Sequence, residues 1–566
     1  MTVTDPPRPP VSGSGSGSAS AVGDVDPRDP IDRSGQWKAL ARPLAIGMLA
    51  AVGSTAAGSL VGAIASVDSP VAAVAGTTID NVPGPVRRWA ISTFGTSDKL
   101  VLGVGIVVVL ALIATFVASA AARRRWVVTA AIVALMLIGF LALDDVTPGA
   151  VVATIASALA AWVPFGVLLR FAAPPRRVPV TVEAPVTVDP PVTAAPVAEP
   201  MVIHRWEAPV DRRAFVARAG ALWAGTAAMA GVAGAINRSD TASVTSARAQ
   251  FPTVPAGSAD AAPPVPAGAS VGGGVEPFIT PNDDFYRIDT AFLAPRVALE
   301  DWRLEITGAV DRPLTLDYAQ LLDRHIVERV VTLCCVSNEV GGDLIGTAKF
   351  IGVPLAELLE EAGVQAGGTQ VAMTSEDGWT CGFPTEIAMD GRDALVAVGM
   401  NGEPLPTEHG FPVRLVVPGL YGYVSATKWL RKIELVGLDD FDGYWIPRGW
   451  SKDGPVKTQS RIDVPKRGAD VAAGRVAVAG VAWAQHRGIE KVEVRVDQGD
   501  WVEARLGDAY SIDTWRQWVY EWDATPGDHE LQVRATDGNG DVQTADQALP
   551  APDGATGHHT VVVSVS

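Results

Sequence analysis

The chain has 566 residues, too many for a single core, and 48% of them are hydrophobic with a mean hydropathy of +0.22. A formal net charge of −17 excludes nucleic acid as a partner, because binding to phosphates needs a basic surface that releases counterions. Three cysteines, Cys334, Cys335 and Cys381, are too few for a disulfide framework or an all-cysteine iron–sulfur cluster.

Residues 1–36 are rich in Pro, Gly, Ser and Asp and have no apolar period, so they read as a disordered tail. Five apolar stretches follow: Pro43–Ser66, Leu100–Ala122, Trp126–Leu143, Val151–Leu169 and Ala214–Ile236. Each approaches the ~20 residues that span hydrocarbon, and all five read as uncharged transmembrane helices. Four of them occupy 37–172. Residues 173–211 are a Pro-rich linker, expected to be extended and structureless, and 212–238 hold the fifth span.

Flanking charge gives the orientation. Lys38 and Arg42 precede the first span and place the N-terminus inside. Arg123–Arg125 after the second span and Arg170, Arg176 and Arg177 after the fourth are inside as well, with Asp144 and Asp145 outside. Arg87 and Arg88 in the first outer loop oppose this rule. Asp211-Arg212-Arg213-Ala214-Phe215 resembles a twin-arginine export signal, although the arginines also serve as a plain inside flank. Either reading sends the following chain out of the cytoplasm, so the protein is expected in the plasma membrane, in contact with lipid, with its larger domain outside. None of the seven histidines lies in the first four spans, which excludes a haem held between them; the membrane part is expected to be an anchor.

Residues 239–274 are rich in Ala, Pro, Gly and Ser and read as a tether. From 275 to 443 short strands mix with short helices, an α+β pattern. From 444 to 566 alternating runs such as Val492, Val494 and Val496 predict an all-β, immunoglobulin-like sandwich. Trp483, Trp501, Trp515, Trp518 and Trp522 are many for so small a sandwich, and the surplus points to an interface that can support a homodimer.

The chemistry concentrates in three segments. Leu333-Cys334-Cys335-Val336-Ser337-Asn338 ends a β-run and leads into Gly341, Gly342 and Gly346. His409-Gly410-Phe411-Pro412-Val413-Arg414 continues to Tyr421-Gly422-Tyr423-Val424-Ser425-Ala426-Thr427-Lys428. Thr280-Pro281-Asn282-Asp283-Asp284-Phe285-Tyr286-Arg287 is the third. Together they resemble the sulfite oxidase family, over roughly Glu276 to Ser566. The resemblance implies a molybdenum–molybdopterin cofactor with Cys335 as the protein thiolate on the metal, and Cys335 and Tyr421 as the catalytic residues. It implies cofactor contacts from Asp283, Tyr286, Arg287, Ser375, His409, Arg414, Ser425, Thr427 and Lys428. Cys334 and Cys335, adjacent on an extended run, face opposite sides, and the motif register selects Cys335.

One departure bears on the substrate. In sulfite oxidases the Asn of the cysteine motif is followed by arginines that help bind the anion, whereas here Asn338 is followed by Glu339 and Val340. A sulfoxide, an N-oxide or another small molecule is therefore expected in preference to sulfite, with a separate or quinone-linked electron partner. A non-catalytic membrane-anchored surface protein with an immunoglobulin-like module would leave the Cys335 and 409–428 segments without a purpose. A transporter with a soluble appendage would need charge inside its spans.

Overall fold

The computed structural model of the protein describes residues 33–65, 69–82, 86, 98–121, 124, 126–143, 148–168, 176–182, 201–207, 212–238, 247–291 and 294–566. The tail up to residue 32 and the flanking charges Arg87, Arg88, Arg123, Arg125, Asp144, Asp145, Arg170 and Asp211 lie outside them.

The apolar stretches form the helices Arg33–Ala65, Asp98–Ala121, Trp126–Leu141, Pro148–Leu168 and Arg212–Arg238. Four segments are long and apolar enough to cross a membrane: Pro43–Ile64, Val101–Ala121, Pro148–Leu168 and Arg213–Ala233. The remaining expected span is a shorter apolar helix. Trp126–Leu141 has 16 residues, or roughly 24 Å at 1.5 Å per residue, against about 30 Å of hydrocarbon. The last span is also not uncharged, since Arg218 lies inside it. A further helix, Pro70–Asn81, follows the first span; the Ser69 hydroxyl caps it by accepting from the Ala72 amide. Ile46, Leu49, Val117, Phe165 and Leu168 share one buried cluster among these helices.

Two stretches expected to be irregular are ordered. Arg176–Val182 and Met201–Glu207 form an antiparallel ladder inside the Pro-rich linker; alternating Val178, Val180 and Val182 have the β-branched shape that suits a strand. The expected tether is a strap over residues 247–274. Ala247 and Ala269 are fully buried, and Phe251, Val254 and Val265 pack on the main core. Its carbonyls at Asp260 and Gly268 accept from the amides of Glu328 and Asp508, and the Pro263 carbonyl accepts from the Tyr510 hydroxyl. The small residues that suggest flexibility are the ones that let this backbone lie close against its neighbours.

The α+β domain is built on two sheets. In the first, Val327–Cys334 pairs with Ile345–Pro354, which pairs with Leu395–Met400, and Arg414–Val416 lies beyond. The second holds Leu304–Gly308, Leu430–Val436 and Gln370–Ser375 as its centre, the first two parallel. Trp302, Phe350 and Phe383 are among the largest side chains enclosed between the elements. Residues 444–458, placed by sequence with the second domain, precede its first strand at Gln459, and Trp445, Ile446, Trp450 and Val456 pack on this core.

The last part has a four-stranded and a five-stranded sheet, whose apolar faces share one cluster containing Val478, Val492, Trp518, Leu531 and Val563. Trp483, Trp515, Trp518 and Trp522 are all buried, so the surplus that suggests a homodimer is core. The guanidinium groups of Arg495 and Arg534 lie 4.7 and 4.4 Å from the ring centre of the half-buried Trp501.

Candidate active site

The strand that carries the thiols is pinned three residues before Cys335. The amide of Thr332 donates to the Asp513 carbonyl at 2.9 Å, its hydroxyl accepts from the Trp515 amide at 2.8 Å, and its carbonyl accepts from the Gln485 side chain at 3.0 Å. Beyond Cys334 the chain leaves the sheet. The Cys335 amide donates to the Leu344 carbonyl at 2.9 Å, and the Leu344 amide donates to the Asn338 side-chain oxygen at 2.9 Å. Asn338 thus staples a loop that turns Cys335 towards a cavity of about 130 Å³. Cys334 packs into the main core. The alternation of an extended chain separates the two thiols in this way.

Cys335, Tyr286, Ser375, His409, Arg414 and Lys428 all line this cavity. Gly410 makes the meeting of the last three possible. At φ +108° it takes a backbone conformation open to glycine, and a Cβ there would stand 3.0 Å from the Cβ atoms of Arg414 and Lys428. Gly346 likewise leaves room for the ring of Phe285, which a Cβ would meet at 2.9 Å.

Arg414 is 5% exposed. Its guanidinium reaches the carbonyls of His409 at 3.3 Å and Leu415 at 3.4 Å, and among the described residues it has no carboxylate partner. Burial lowers its pKa to about 10. A buried cation without a counter-ion is costly, so this cavity is built for an anionic ligand. Lys428 donates to the Asp289 carboxylate at 2.8 Å and to the Glu408 carbonyl at 3.1 Å, and burial brings its pKa down to about 8. His409 donates from Nε2 to the Asn282 carbonyl at 2.9 Å. Burial, reinforced by Arg414 and Lys428, lowers its pKa to about 4, so the ring is neutral with Nδ1 as an acceptor. Burial pushes the Cys335 thiol up, while Ser337 and the Lys428 charge pull it down. The Tyr286 phenol is held well above its ordinary range by burial and by the two thiols, and it stays a donor at neutral pH.

Other expected residues are not brought to the cavity. Asp283 is exposed. Arg287 is turned to Asp289 at 3.1 Å. The Tyr421 ring is buried with its hydroxyl accepting from the Lys457 amide at 3.3 Å. Ser425 donates back to the Tyr421 carbonyl at 3.0 Å, and the Thr427 hydroxyl lies 3.1 Å from the Cys381 sulfur. The short helix Gly422–Ser425 turns these side chains inward while leaving Gly422 and Ala426 on the cavity wall. The Tyr421 side chain therefore does not line this cavity.

The sequence reading passed over Asp289, Ser337 and Asp377, and the aromatic wall of Trp379, Tyr423, Trp429, Trp445 and Trp450. Asp289 lies two residues beyond the segment that ends at Arg287, and Ser337 and Tyr423 lie inside segments already singled out. Trp379, Trp445 and Trp450 lie outside those segments and had no such signal.

The family described as oxidoreductase molybdopterin binding domain matches residues 291–445. The chain is 31% identical over 323 residues to mitochondrial sulfite oxidase of Drosophila melanogaster, covering 47% of this chain and 56% of that protein. It is 30% identical over 321 residues to sulfite oxidase of Gallus gallus, covering 47% of this chain and 68% of that protein. The chain thus spans little more than half the length of the Drosophila protein. Among solved structures, the sulfane dehydrogenase SoxCD from Paracoccus pantotrophus is similar with a TM-score of 0.44 at 26% identity, covering 53% of this chain and 85% of that one.

Proposed function

Because the chain belongs to the sulfite oxidase family of molybdopterin oxidoreductases, we propose that it is a molybdenum-cofactor enzyme exchanging an oxygen atom and two electrons with a small molecule outside the cytoplasmic membrane. The observation that carries this reading is the meeting of the Cys335 thiol and the unpaired, buried Arg414 guanidinium on one cavity wall. The donor set fits molybdopterin. Cys335 is a soft ligand, Arg414 and Lys428 supply positive charge for an anionic pterin phosphate, and His409, Tyr286 and Ser375 offer an acceptor and two hydroxyls. Bound there, the cofactor supplies the two-electron oxygen-atom exchange.

The chain's own work is to bind, orient and keep dry. The Asn338 staple holds Cys335 on the cavity wall. Because burial raises the thiol pKa, deprotonation of Cys335 depends on the charge of a bound metal. Neutral His409 can accept from a ring N–H without adding charge. A sulfoxide or N-oxide suits the site better than sulfite: Glu339 follows the cysteine motif, and Asp377 adds a carboxylate to the wall. The apolar helices anchor the enzyme in the plasma membrane, and electrons pass to or from a separate carrier or a quinone. The two-sheet domain is read as the immunoglobulin-like module. Metal analysis of the purified full chain tests the assignment. About one molybdenum per chain, lost in Cys335→Ser together with turnover, is expected; a metal-free, stably folded chain after expression with molybdate would overturn it.

A further inference from the structure

The cavity changes character along its depth. Arg414, Lys428 and Cys335 are buried, whereas Ile288 is 43% exposed, Asp377 is exposed, and Trp379, Trp445 and Trp450 are half-buried. The outer wall is built of aromatic faces set at angles. Trp445 and Trp450 meet at 74° with centroids 6.2 Å apart, and Tyr423 lies 5.7 Å from Trp450.

The charges around this rim are of one effective sign. Asp377 accepts from the Ser375 hydroxyl and, among the described residues, has no ion pair. Glu376 is paired with Arg431 at 2.6 Å, and Lys452 with Asp442 at 2.9 Å. Arg448 lies 3.6 Å above the ring of Tyr444 and donates to that residue's carbonyl at 2.7 Å. The nearby cations are therefore engaged, and the Arg448–Tyr444 stack shows this aromatic cluster already taking a cation on its face. An anion would meet Asp377 and the negative faces of the rings. A strongly hydrated ammonium would leave the indoles unused.

We propose that the rim of Trp445, Trp450, Trp379 and Asp377 is a binding subsite for a methylated onium group, so that the substrate carries an alkylated cationic head beside its reacting atom. Methyl groups fill the apolar angle between rings, and the spread positive charge faces the π-systems and the Asp377 carboxylate, which holds hydrogen bonds from Ser375 and Trp379 but, among the described residues, no cation. This deepens the reading of the cavity as a molybdenum site and rests on it, but the subsite consists only of protein side chains and can be tested apart from turnover.

The test is calorimetric titration of the purified full chain with tetramethylammonium, and with tert-butanol as an uncharged probe of similar shape, alongside molybdenum analysis of the same sample. Tetramethylammonium is expected to bind at least ~10-fold more tightly than tert-butanol. Trp445→Leu should weaken it by ~5-fold or more, and Asp377→Asn, an exposed change that leaves folding intact, by a few-fold. Equal binding of both probes, or full affinity in Asp377→Asn and Trp445→Leu, overturns the proposal. A molybdenum-loaded chain with no affinity for tetramethylammonium sinks the onium subsite alone. A metal-free chain that binds the cation as described sustains the subsite while the cofactor reading fails.

Discussion

The ammonium of Lys428 lies 2.8 Å from the carboxylate of Asp289, and both side chains are buried, at 10% and 4% exposure. Arg287, which does not line the cavity, closes on the same carboxylate at 3.1 Å, so one acid holds two bases. Removing the acid leaves Lys428 charged and buried without its partner. Asp289→Asn is expected to cost the cofactor-free protein about 3 kcal/mol at pH 7, read from the denaturant midpoint. The loss should shrink at higher pH. With a folded pKa of about 8, below the ordinary 10.5, Lys428 sheds its proton in the folded chain first, and stability rises with pH between those values. An unchanged midpoint at pH 7 would show that the pair contributes nothing.

His409 gives the opposite end of the pH scale. Its folded pKa of about 4 lies below the ordinary 6.5, so between these values the unfolded chain holds a proton that the folded chain lacks. Stability present at neutral pH is therefore lost as pH falls from 6.5 towards 4. At pH 4.5 this one ring accounts for about 2–3 kcal/mol. His409→Asn, which keeps a donor for the Asn282 carbonyl, should flatten that part of the acid limb in urea melts taken at pH 7 and pH 4.5. An identical pH dependence in the variant would remove His409 from the account.

The two adjacent thiols separate structure from chemistry. Cys335→Ser is expected to abolish turnover and molybdenum content while changing the melting temperature little. Cys334→Ser places a hydroxyl in the apolar core and should cost about 1–2 kcal/mol while turnover survives. Metal content, turnover and thermal melts on both variants decide the matter, and a reversal of the two would shift the ligand by one residue.

Alternation along the strand made it legible that the two thiols take opposite faces, and the choice of Cys335 between them rests on the register of the family motif. Arg414 and Lys428 were legible as part of one contiguous segment with Gly410 at its bend. Tyr421, Ser425 and Thr427 do not line the cavity for a related reason: contiguity in a motif does not say which way a side chain turns at a four-residue helix, and Ser425 turns back to bond its own chain. The Asp289–Lys428 pair and the aromatic rim depend on contacts between residues far apart in sequence. Periodicity in one segment carries no information about them.

The membrane topology turns on one short helix. With Trp126–Leu141 spanning, five crossings put the C-terminus outside; with four, it returns to the side of the N-terminus. Positively charged flanks favour five. A fluorescent reporter active only in the cytoplasm, fused after Ser566, is expected to be dark, and deletion of 126–141 should light it. A bright signal from the intact fusion would place the cavity inside the cell.

The strap over residues 247–274 decides how load from a fluid bilayer reaches the folded body. Its contacts at Asp260, Pro263 and Gly268 are shared between the α+β sheets and the all-β domain. A tug on the anchor is therefore taken up in parallel by several main-chain bonds and buried alanines, in shear along the strap. One of these bonds, from the Glu328 amide to the Asp260 carbonyl, falls on the cysteine strand itself, and the same strand is braced further along through Thr332 to Asp513, Trp515 and Gln485, so the load that enters at one end meets a second set of bonds before it reaches the thiols.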